Sequence, residues 1–161
     1  MNSREFLIKG KKYTLTYSEK KFLRPNVLLW ENDLLVFRAE NNPKKHDEVL
    51  LDWLKRQSKA HFFKRVQEIA EAYGFEYNRV TIRDQSTRWG SCSSQKNLNF
   101  NWRLYLAPVE ISDYVIVHEL AHTQQMNHSK AFWSIVQAVL PDYKERRKWL
   151  RANERMLKEL I

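Results

Sequence analysis

The chain has little of several things that whole classes of protein require. It has one cysteine, Cys92, so no disulfide can close within it, and a lone thiol suits a reducing compartment better than a secreted scaffold. Its three glycines, Gly10, Gly74 and Gly90, are scattered, so neither a phosphate-cradling loop nor a GxGxxG dinucleotide turn can be written. No apolar run approaches the roughly 20 residues that span a bilayer, and no basic segment followed by an apolar stretch opens the sequence. A cytoplasmic location without membrane attachment is the expectation. Acidic residues are in deficit as well: 19 Asp and Glu stand against 28 Lys and Arg, for a formal charge of +9.

What is present narrows the field quickly. His118-Glu119-Leu120-Ala121-His122 is followed six residues later by His128. Histidines four apart on a helix project from one face about one turn apart, so both imidazoles can reach a single metal ion with the glutamate beside them. Three protein ligands leave the fourth position of a tetrahedral zinc for water, whose pKa falls from about 15.7 towards roughly 7. The expected cofactor is therefore one Zn2+ per chain and the expected chemistry is hydrolysis, with His118, His122 and His128 as ligands and Glu119 as general base. His128 is preferred as third ligand because it follows the helix directly. An acidic ligand from a later helix, Glu145 or Glu154, is the alternative, and Cys92 is a possible fourth ligand. Gln125 stands where the extended HExxHxxGxxH pattern has glycine, so Asn127, which tolerates a left-handed conformation, is the expected hinge.

At 161 residues and 43% hydrophobic content the chain can bury one good core, and a single domain over residues 1–161 is expected. Turn signals and alternation predict a small amino-terminal sheet over 1–40, with short antiparallel strands at 13–17, 27–30 and 34–38. Helical spacing of Leu50, Trp53, Leu54, Phe62, Val66, Ile69 and Tyr73 predicts one long helix over 46–73, stopped by Gly74. Strands follow at 80–83, 87–92 and 98–102, either of the last two being a candidate free edge beside the metal. Pro108 opens the metal helix, Ser129 caps a short helix through Leu140, and Pro141-Asp142 start a final basic helix, completing a core over 80–161.

Arg88-Trp89-Gly90-Ser91-Cys92, Asn101-Trp102-Arg103-Leu104, His118 to His122, and Asn127-His128-Ser129 with Phe132-Trp133 together resemble the YgjP-like family of predicted zinc metallopeptidases. That family is related to the WLM and SprT-like proteases, some of which act on DNA-bound proteins. The resemblance is specific over about residues 80–150. It implies an α+β, zincin-like metallopeptidase fold with small antiparallel or mixed sheets, the HExxH helix lying beneath a sheet whose edge borders the cleft. The family's ligands fall on His118, His122 and His128, and its catalytic glutamate on Glu119. Ala121 stands where relatives often have cysteine.

These readings give three functional classes. The first is a zinc metallopeptidase acting on protein or peptide, in which Glu119 takes a proton from water and passes it to the leaving amine. Tyr105, Tyr114, Arg88 and Arg103 are candidates for a second oxyanion donor, and Asn127 for orienting a ligand imidazole. The second is a basic nucleic-acid-associated protein with a structural zinc, and the third a zinc hydrolase of non-peptide bonds. Lys144, Arg146, Arg147, Lys148, Arg151, Arg155 and Lys158 crowd the last helix, and Lys44, Lys45, Lys55, Arg56, Lys59, Lys64 and Arg65 the long one. They suggest non-specific DNA contact, or a solvated face softened by Glu145, Glu154 and Glu159. Trp133 and Trp149 read as core or rim packing before base stacking.

Overall fold

A computed structural model describes residues 3–41 and 44–160. The amino-terminal sheet has four strands, β1 Ser3–Ile8, β2 Lys11–Phe22, β3 Asn26–Trp30 and β4 Asp33–Ala39, in the order β1-β2-β4-β3. Lys9 and Gly10 both have positive φ, 52° and 74°, as a tight two-residue hairpin between β1 and β2 requires. β2 and β4 pair in parallel, so the sheet is mixed where short antiparallel strands were expected. β1 and the second half of β2 escaped the sequence reading because their exposed faces are charged. Their pairing supplies what local pattern does not.

Along β1, β2 and β4, Phe6, Ile8, Leu15, Leu34 and Val36 are buried at alternating positions. They join one core with Val49, Leu50 and Leu54 from the first half of α1, His46–Tyr73. The helix bounds are those expected. Gly74 ends it in the left-handed conformation, φ 73°, its N–H donating to the carbonyl of Ala70. Further along α1, Phe62 stacks on Phe100 with ring centroids 5.0 Å apart, tying the helix to the second sheet.

That sheet comprises β5 Arg79–Arg83, β6 Gly90–Cys92 and β7 Asn97–Asn101, ordered β5-β7-β6. β7 is central, parallel to β5 and antiparallel to β6, so of the two candidate edges only β6 is one. The strand expected at 87–92 is shorter than its pattern because buried Asn101 holds the preceding loop. Its amide donates to the carbonyls of Gln85 at 2.6 Å and Arg88 at 3.0 Å. The Asn101 side-chain oxygen, Oδ1, accepts from Arg103 N–H at 3.1 Å, ending β7 and starting a 3-10 helix, Trp102–Leu106, where a strand was expected to continue.

Pro108 then leads into α2, Val109–His122, which is buried almost all round. Gly10 packs against Pro108 so closely that an added Cβ would lie 2.8 Å from its Cγ, and the Lys9 and Gly10 N–H groups donate to the carbonyls of Tyr105 and Leu106. The first hairpin therefore fixes where α2 begins. Ser129 caps α3, Lys130–Val139, by accepting from Phe132 N–H, and α4, Tyr143–Glu159, packs back on α2. Among the described residues no helix is long and apolar enough to cross a membrane.

Candidate metal centre

The last turns of α2 carry His118, Glu119 and His122, and the short segment between α2 and α3 returns His128 to them. Nε2 of His128 lies 3.1 Å from Nε2 of His122 and 3.3 Å from Nε2 of His118. Nitrogens held roughly 2.0–2.1 Å from a tetrahedral zinc would stand about 3.3 Å apart, so the observed spacing fits such an ion. The three ligand atoms all lie within 4.8 Å of one another, a group that could hold a metal.

The tautomer of His122 follows from its partner. Nδ1 is 3.0 Å from the carbonyl of Gln125, which can only accept, so Nδ1 carries the hydrogen and Nε2 presents its lone pair to the centre. Gln125, at the position where the extended motif has glycine, thus orients His122 through its backbone, the task expected of Asn127. Nor is Asn127 a left-handed hinge: among the described residues only Lys9, Glu31 and Lys96, besides glycines, have positive φ. The turn is closed instead by α-helical extensions, with the N–H groups of Gln124 and Gln125 donating to Ala121.

Electrostatics separates the members. Burial pushes the His118 pKa down to about 3, helped by the neighbouring His122 and His128 and by Arg147. His122 is lowered too, again first by burial. His118 Nδ1 is buried without a hydrogen-bond partner. Glu119 is only 5% exposed, and burial pushes its carboxyl up to about 8. A cation beside it would favour the ionised form. Glu119 fits because β6 has no side chain opposite it: a Cβ on Gly90 would lie 2.9 Å from Glu119 Oε2 and 3.1 Å from the Asn99 carbonyl oxygen.

The centre opens on a cleft of about 730 Å³ walled by β6 on one side and α4 on the other, with Arg88, Trp89, Tyr114, Trp133, Arg147, Arg151 and Glu154 among its lining. Of the oxyanion candidates, Tyr114 and Arg88 are in this cleft. Tyr105 faces a separate cavity, and Arg103 pairs with Asp84 at 2.8 Å. Burial raises the Tyr114 hydroxyl to about 12, so it is a donor at neutral pH. Glu145 is outside the cleft. Glu154 borders it but is held by Lys158 at 2.8 Å, and neither glutamate belongs to the histidine group. Cys92 lines the cleft, also apart from that group, with its thiol raised to about 11 by burial and by Glu119.

Sequence reasoning missed the direction of Arg147 and Arg151, which it placed in an outward basic face. The one available signal was their i, i+4 spacing with the buried Leu150 between them. Trp133, expected in core or rim, borders the cleft and stacks on His128 with centroids 6.0 Å apart.

No curated protein matches the sequence at a significant level. The crystal structure of the metallopeptidase zymogen of Pyrococcus abyssi abylysin is similar, with a TM-score of 0.52 at 22% identity, covering 56% of this chain and 91% of that one. At that identity the likeness concerns the fold, which for this chain is α+β and metallopeptidase-like. The model of the YgjP-like family, described as a metallopeptidase domain, matches residues 1–153, and the chain belongs to that family.

Proposed function

We propose that this metallopeptidase uses one zinc per chain, held by His118, His122 and His128, with Glu119 as the group that moves protons. The observation that carries the reading is the convergence of three imidazole Nε2 atoms beside a buried carboxyl at the floor of an open cleft. Bound zinc would supply an acidified water and a Lewis acid for the scissile carbonyl.

The chain's own residues do the rest. Among the described residues β6 pairs with β7 alone, so its outer edge can receive an extended peptide through backbone hydrogen bonds and set the scissile bond over the histidines. Glu119 accepts a proton from the attacking water and delivers it to the leaving amine. Gly90 leaves Glu119 the room to stand against the strand that would present the substrate. Tyr114 and Arg88, both in the cleft, can donate to the developing oxyanion. The lone cysteine suits a reducing compartment such as the cytoplasm.

Nucleic-acid contact draws less support. Lys55, Lys64, Arg65, Arg146, Arg155 and Lys158 each pair with a carboxylate, which leaves these cations less free to meet phosphate.

Two measurements test the proposal. Purified protein should hold about one zinc per chain, with His128→Ala losing it and Glu145→Ala keeping it. Cleavage of an unfolded protein substrate should fall by roughly two to four orders of magnitude in Glu119→Gln with zinc retained. Tight zinc in His128→Ala, or undiminished cleavage in Glu119→Gln, would remove the basis of the assignment.

A further inference from the structure

α4 carries two kinds of cation. Arg146, Arg155 and Lys158 are ion-paired, with Asp142, Glu159 and Glu154 respectively. Arg147 and Arg151, one turn apart and lining the metal cleft, have no carboxylate at ion-pair distance among the described residues, and neither does Arg88 at the opposite wall. Of the two glutamates bordering the cleft, Glu154 is engaged by Lys158 and Glu119 is buried against β6. Three like charges converging on one cavity without a counter-ion repel one another, and a fold keeps such an arrangement at a cost that an arriving anion relieves.

Arg147 is also held in place. Its guanidinium carbon sits 4.9 Å from the Trp133 ring centroid and 5.9 Å from that of Tyr143, while these two rings stack on each other at 5.2 Å. Trp133 in turn stacks on His128. The guanidinium face is thereby occupied and its N–H edge left for a planar, bidentate oxyanion, with little ordering left to do on binding.

We infer that the cleft selects substrates bearing a carboxylate close to the scissile bond, gripped by Arg147 and Arg151 with Arg88 adding to the field from the facing wall. The inference rests on the peptidase reading for its peptide, whereas the anion grip does not depend on cleavage. The carboxylate has two possible sources, an acidic side chain or a free carboxy terminus.

The test uses full-length Glu119→Gln protein loaded with zinc, and binding read from tryptophan fluorescence. The probes are matched peptides: one acidic, one with Asp and Glu replaced by Asn and Gln, each with a free or amidated terminus, and one phosphoserine counterpart. At low salt a carboxylate should tighten binding by about ten- to a hundredfold. That preference should collapse in R147Q/R151Q and be partly kept in Arg147→Lys, with zinc content and circular dichroism unchanged. Loss on amidation assigns the terminal carboxylate, and loss on Asp/Glu replacement assigns the side chain. Equal binding of neutral peptides, a preference that survives R147Q/R151Q, or tight binding of the phosphopeptide alone overturns the inference. If wild type cleaves peptides without charge preference, the grip is wrong and the peptidase stands. If carboxylate preference is present but nothing is cleaved, the reverse holds.

Discussion

His61 and His118 are both histidines kept neutral by burial, yet they sit in different company. His61, midway along α1, has its pKa pushed down to about 4, first by burial and then by Lys9. Its Nε2 lies 3.3 Å from the Ser112 hydroxyl, beside a cavity of about 330 Å³. Every other ligand-type group nearby is engaged: Arg65 binds Asp113 with two contacts of 2.8 and 2.7 Å and Glu68 with a third of 3.0 Å. His118 instead faces two further imidazoles. Burial of a histidine is thus common to both regions, and what distinguishes a candidate metal centre is three imidazole Nε2 atoms converging on one point.

The sharpest way to break that contrast is to remove one imidazole from each region. His122→Ala should lower zinc affinity by about two orders of magnitude or more, since even losing an outer partner of a ligand typically costs 10–100-fold. His61→Ala should leave it within about twofold. Equal losses in calorimetric zinc titrations would mean that the two regions are not distinct.

Two glycines extend the comparison. Gly90 has ordinary backbone but no room, so Gly90→Ala must displace Glu119 or β6, at about 1–3 kcal/mol in urea unfolding and with a marked loss of cleavage. Gly74 has open space but φ of 73°, so Gly74→Ala should cost about 1 kcal/mol and leave cleavage alone. Cleavage lost equally in both variants would show that the Gly90 contact is merely structural.

The smallest effect is acid sensitivity of the metal-free chain. The unfolded imidazole titrates near 6.5, above the folded values of about 4 for His61 and about 3 for His118. The unfolded state therefore binds more protons below pH 6.5. Stability from both groups is complete above that pH and drains as pH falls through the folded values. His61→Gln should reduce proton uptake on unfolding near pH 5.5 by up to about one proton, measured from the slope of stability against pH. An unchanged slope would mean that His61 is already solvated.

Much of this was legible locally. The span of α1, its stop at Gly74, the Pro108 start of α2 and the Ser129 cap all depend on residues within a turn of the feature they produce. The approach of His118 and His122, with Glu119 between them, likewise needs only helical periodicity. What was illegible depends on partners distant in sequence. The parallel pairing of β2 with β4, the loop that Asn101 pins, and the inward turn of Arg147 and Arg151 are decided by packing. The Gln125 carbonyl could not be found from side-chain identity at all, because the group that orients His122 belongs to the backbone.

The hairpin at Lys9 and Gly10 places the events of assembly in time. Its tip donates to Tyr105 and Leu106 and abuts Pro108, so the segment that sets the start of α2 is made long before its acceptors exist. At about 5–20 residues per second, the hairpin waits several seconds for them during synthesis. His128 and the arginines of α4 arrive later still. A nascent chain can thus form its first sheet early, but the cleft over the three histidines gains its second wall only once α4 has emerged.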